Sequence, residues 1–83
     1  MSYIYVGGER VYVPRFIAEM GAENIIAMII DGETTVESCQ ELARLLWLIE
    51  NYTRGSNRYR AFSRLDKLFA EKCVEVLAYS GEQ

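Results

Sequence analysis

The chain has 83 residues, 25% of them charged and 51% hydrophobic, with a formal net charge of −3. That balance fits one small globular domain and excludes a disordered polyelectrolyte. Histidine is absent altogether, which removes the commonest general base and the commonest neutral metal ligand, so most hydrolase and zinc-site chemistries are disfavoured.

Tyr3–Val6 (YIYV) and Arg10–Val13 (RVYV) are β-branched and aromatic runs separated by Gly7, Gly8 and Glu9, a β-hairpin signal. A two-residue Gly7-Gly8 turn sets Val6 opposite Glu9, Tyr5 opposite Arg10, Ile4 opposite Val11 and Tyr3 opposite Tyr12. Side chains alternate across a strand, so Ile4, Val6, Val11 and Val13 share one face and Tyr3, Tyr5, Arg10 and Tyr12 the other. Pro14 stops the strand and can open a helix at its first position; Gly21 reads as that helix's stop.

Asn24–Ile30 (NIIAMII) is ambiguous. Its β-branched isoleucines favour a strand, while their spacing also fits one face of a helix. The strand is the preferred reading, because Asp31-Gly32 is a turn signal and would pair Ile25–Ile30 with Thr34–Val36 in a second hairpin. Two overlapping capping boxes, Thr34 with Glu37 and Ser38 with Glu41, then announce a helix through QELARLLWLIENYT. Leu42, Leu45, Leu46, Ile49 and Tyr52 form its apolar stripe, widened by Cys39, Ala43 and Trp47, and Leu48 interrupts the polar side. A helix so apolar is either central to the domain or faces another chain. Gly55, Ser56 and Asn57 break the pattern before a last helix of roughly twenty residues, RYRAFSRLDKLFAEKCVEVLAY. Phe62, Leu65, Phe69, Cys73 and Val76 recur at helical spacing and are its expected core face. The fold class expected is α+β: an N-terminal hairpin, extended or not by a second one, packed on two long α-helices as a single domain over 1–83.

Cys39 and Cys73 are the only cysteines. A disulfide between them is one option. The start MSYIYVGG lacks the charged and long apolar stretches of a signal peptide, so reduced thiols in a cytoplasmic protein are the expectation. The uncharged apolar run Ile25–Ile30 is too short to cross a bilayer. No membrane association, cofactor or metal is expected. Neither cysteine has a histidine partner, and Gly7-Gly8 lacks the spacing of a phosphate loop, so a non-enzymatic protein is expected.

The segment Gly7-Gly8-Glu9-Arg10-Val11-Tyr12-Val13-Pro14-Arg15 resembles the strand motif of the Mor/C family of bacteriophage transcription activators: a glycine pair, variable residues, aliphatic, Tyr, aliphatic, Pro, basic. The likeness covers nine residues and little else. In that family the motif lies between a helical dimerisation region and a DNA-binding helix-turn-helix. Gln40-Glu41-Leu42-Ala43-Arg44 is similar to the start of the family's first DNA-binding helix, whereas Leu45–Ile49 departs from it in having no glycine-containing turn. The resemblance implies an origin in a phage or mobile element.

Charge is unevenly spread. Residues 1–53 carry a balance of −5, residues 54–72 one of +4, and the tail −2. The basic groups crowd the start of the last helix, the reverse of what its dipole prefers, and a local rule broken at a cost in stability flags a binding role. Arg54, Arg58, Arg60, Arg64 and Lys67 therefore form a candidate strip for phosphates or an acidic partner. The bland alternative pairs them with the acidic surface of residues 19–41. Tyr3, Tyr5, Arg10 and Tyr12 form the candidate partner-binding face, a composition enriched in interface hot spots. Leu45, Trp47 and Leu48 are candidates for an oligomer interface.

Two functions follow as expectations. The preferred one is a small regulatory or inhibitory protein that binds a host protein or nucleoprotein complex, with Glu19, Glu23, Asp31, Glu33 and Glu37 supplying charge complementarity to a basic groove. The alternative is a dimeric DNA-binding transcriptional regulator that uses Arg54, Arg58, Arg60 and Arg64 on phosphates.

Overall fold

The structure, a computed structural model, describes residues 2–81. Strands β1 (Ser2–Val6) and β2 (Glu9–Val13) are followed by helices α1 (Arg15–Glu19), α2 (Ala22–Ile30), α3 (Val36–Tyr52), α4 (Gly55–Lys72) and α5 (Val74–Gly81). The architecture is α+β: a hairpin on a helical layer, in which three shorter helices accompany the two long ones, α3 and α4.

The hairpin has the expected register, with Tyr3 opposite Tyr12, Ile4 opposite Val11, Tyr5 opposite Arg10 and Val6 opposite Glu9. Gly7 and Gly8 both have positive φ, as a two-residue type I′ turn requires, and glycine adopts that backbone without a Cβ clash. Ile4, Val6, Val11 and Val13 are buried. Pro14 caps α1 from just outside it, its carbonyl accepting from the Ile17 and Ala18 N–H groups. Gly21, at φ 81°, closes α1 and leads directly into α2.

Among the described residues the sheet has two strands, so the expected second hairpin does not form. Asn24–Ile30 lies within helix α2 instead. Ala22, Ile26 and Ile29 are buried on one side of it, with Ile25 packed beside them. A β-branched residue gives up only a few tenths of a kcal/mol in a helix, whereas burying an isoleucine gains about 1.5–3 kcal/mol. The face that meets the core therefore outweighs residue preference. Asp31-Gly32 ends the helix rather than turning a hairpin: the Gly32 N–H bonds to the Ile29 carbonyl at 3.1 Å and the Glu33 N–H to the Met28 carbonyl at 2.9 Å. This is a Schellman motif with Gly32 at its left-handed position, φ 93°.

Helix α3 starts with a capping box, but between Thr35 and Ser38. The Ser38 N–H donates to Thr35 Oγ1 at 3.0 Å, and the Thr35 N–H donates to Ser38 Oγ at 2.9 Å. Neither box expected from the sequence is the one used, because Thr35 is the residue with extended dihedrals and Ser38 is already inside the helix. Cys39, Leu42, Leu45, Leu46 and Ile49 are buried along α3, while Tyr52 is exposed. The last helix is interrupted at Cys73, giving α4 and α5 in place of one continuous element. Its core face is Ala61, Leu65 and Leu68, and Phe62, Phe69 and Val76 lie only partly buried beside that core.

Cys39 and Cys73 form a disulfide, Cα to Cα 5.4 Å apart, in place of the expected free thiols. Both residues are fully buried where α3 meets the junction of α4 and α5. Among the described residues no helix is long and apolar enough to cross a membrane.

Opening the disulfide, which joins residues 34 apart, should lower stability by about 3–4 kcal/mol, seen as a lower urea midpoint with reductant than without; equal midpoints would show that the crosslink is not formed in solution. Gly32→Ala should cost about 1 kcal/mol because an L side chain is strained at that left-handed position, measured by the same titration.

Candidate functional site

Tyr3, Tyr5, Arg10 and Tyr12 come together on the outer face of the hairpin. The tyrosines remain 46%, 48% and 37% exposed, so no helix or third strand among the described residues covers them. The Tyr3 ring meets Tyr5 edge-on at 5.6 Å and Tyr12 at 6.1 Å. The Arg10 guanidinium lies 5.2 Å from the Tyr3 centroid and 5.7 Å from that of Tyr12. Aromatic edges and a cation over ring faces hold the four side chains as one plate. Arg10 makes no ion pair among the described residues, which leaves its N–H groups available to an acceptor. At the free edge of β1 the Tyr5 N–H donates to Glu23 Oε1 at 2.9 Å, a charge-assisted bond that ties the plate to α2.

The five predicted basic residues do not act as one group. Arg64 pairs with Glu9 at 2.7 Å and Arg58 with Glu50 at 3.7 Å, both half-exposed. Neither partner lies in residues 19–41, so the expected pairing with that acidic surface does not occur. Arg54, Arg60 and Lys67 make no ion pair among the described residues. Arg60, Arg64 and Lys67 line one open groove along α4 with Ser56, Tyr59 and Ser63. Arg58 faces a neighbouring groove with Phe62 and Asp66. Tyr59 borders both grooves and is 78% exposed.

The predicted oligomer interface is divided as well. Leu45 is 2% exposed and belongs to the core of the monomer, so it does not line an interface. Leu48 packs partly against the same core. Trp47 is exposed, and with it stand Tyr52 at 6.4 Å and, beyond that, Phe16 at 5.3 Å from Tyr52. Phe16, Tyr52 and Tyr59 were not among the sequence candidates. For Tyr59 the signal was present, since Ser56, Arg60 and Ser63 place it on a polar helical side. For Phe16 and Tyr52 it was not, because they are far apart in the chain. The acidic residues serve local tasks in part: Glu19 pairs with Arg15 at 2.8 Å and Glu23 holds Tyr5.

Among the described residues no three His, Cys, Asp or Glu side chains converge as metal ligands. Compared with family models, curated proteins and solved structures, the chain matches none.

Trp47 is the only tryptophan, so its fluorescence reports this aromatic patch directly. In the dilute monomer its emission should be that of a water-exposed indole, and acrylamide should quench it freely. A blue shift on raising the protein concentration, matched by a doubled mass in sedimentation, would place a second copy over Phe16, Trp47 and Tyr52.

Proposed function

We propose that the protein is a small non-enzymatic regulatory or inhibitory module that works by capturing a partner protein on the plate of Tyr3, Tyr5, Arg10 and Tyr12. The observation that supports this reading is the exposure of all three tyrosines around an arginine with no ion pair among the described residues, on a hairpin whose opposite face is buried. Tyrosine offers a large amphipathic contact area with little rotamer freedom to lose, and Tyr and Arg dominate interface hot spots. The plate stands on regular structure pinned by its turn and by Glu23, so little ordering cost accompanies docking. The negative balance outside residues 54–72 favours a partner with a basic rim and speeds encounter with it.

The test is quantitative capture from extract by the tagged protein, with and without nuclease, in parallel with Tyr5→Ala and Tyr12→Ala. One protein should be retained at near-stoichiometric level after nuclease, and each substitution should weaken its binding about 30-fold, the equivalent of a 2 kcal/mol hot spot. Circular dichroism and the urea midpoint of both variants should stay close to the parent, because the rings contribute little to the core. Undiminished capture by both variants would reject the plate as the binding surface.

A further inference from the structure

We propose that α4 carries a second binding site, separate from the tyrosine plate, for single-stranded nucleic acid. The α-helical repeat sets Ser56, Arg60, Ser63, Arg64 and Lys67 on one side of α4, where they line an open groove together with Tyr59. From Arg60 to Lys67 this cationic row advances about 10 Å along the axis, in steps of about one turn. Arg60 and Lys67 have no ion-pair partner among the described residues. Arg64 has one, Glu9, but both side chains of that pair are nearly half exposed, so exchanging Glu9 for a phosphate costs little.

The cations at the start of α4 are placed against the preference of the helix dipole. The first turn of α4 holds no acidic residue and its start has no side-chain cap. Arg60 therefore stands toward the positive end of the helix dipole with no ion-pair partner among the described residues, whereas Arg58 is paired with Glu50. Such an arrangement raises the local positive potential and favours an anion. Tyr59 adds what a plain cationic strip lacks. Its ring stands 78% exposed beside the groove and has no aromatic or cation–π partner among the described residues, so a base can stack on it.

A row of cations beside an open aromatic ring is the composition of sites that follow a phosphate backbone and stack its bases, and stacking tolerates any sequence. A duplex fits less well, since its base faces are hidden within the stack. The balance of −7 outside residues 54–72 also repels a long polyanion. An acidic peptide would satisfy the cations but leave Tyr59 without a role.

The experiment is fluorescence anisotropy of the intact protein with labelled oligothymidylate, oligouridylate, a mixed-sequence duplex and polyglutamate, over a range of salt. Both single strands should bind at low salt, with log Kobs falling by about 2 for each tenfold rise in salt as three phosphates are neutralised. The duplex and polyglutamate should bind more weakly. Tyr59→Ala should weaken single-strand binding about fivefold to a hundredfold, and Tyr59→Phe should largely restore it. Arg60→Glu with Lys67→Glu should abolish it, and Arg15→Glu, a charge reversal in α1 outside the groove lining, should weaken it far less. The glutamate substitutions lie at exposed positions of α4, so loss of binding would not reflect unfolding, which circular dichroism verifies. No binding of either strand at low salt, equal binding of polyglutamate, or indifference to Tyr59→Ala would overturn the proposal.

Discussion

The two faces of the hairpin depend on a single constraint, the register fixed by Gly7 and Gly8. Both residues take positive φ, and the tight turn leaves one way to pair the strands. A slip of one residue in β2 would turn that strand over, sending Val11 and Val13 to water and Tyr12 into the core. The burial of those aliphatic side chains against the helices holds the register from below. Turn geometry and core burial thus act in the same direction, and the outward position of Tyr3, Tyr5, Arg10 and Tyr12 is their joint consequence.

The helical layer supports that ribbon by several independent fastenings. Val11 and Val13 belong to the same buried cluster as Leu42, Leu45, Ile49 and Leu65. Glu23 reaches from α2 to the backbone of Tyr5, and Arg64 reaches from α4 to Glu9. The Cys39–Cys73 bond fixes the junction of α4 and α5 to α3. In a chain this short the hydrophobic core alone provides a narrow margin, and a buried crosslink is a common remedy. Surface residues are thereby released from structural duty, and exposed aromatic groups can be carried on a frame that does not need them.

Charge and aromatic groups divide the surface into regions of different character. The hairpin plate joins phenols to one guanidinium. The α4 groove joins three cations to one phenol. Phe16, Trp47 and Tyr52 form a third region with no cation over its rings among the described residues. The first two surfaces share no residue, although Arg64 of the groove is joined to Glu9 of the hairpin.

Alternation by two in Tyr3–Val6 and Arg10–Val13, with a glycine pair between them, was sufficient to define the ribbon, its pairing and its outward tyrosines, because each of those properties is set by neighbours within a few residues. The apolar stripe of α3 was legible for the same reason. Asn24–Ile30 was not: isoleucines fit either element, and only the presence of a buried face for Ala22, Ile26 and Ile29 selected the helix. Local patterning likewise could not say that Cys39 meets Cys73, that Arg64 finds Glu9, or that Leu45 turns inward while Trp47 stays out. Those outcomes depend on how helices distant in sequence rotate about their axes as they pack, and the shared core, rather than any segment alone, sets that rotation.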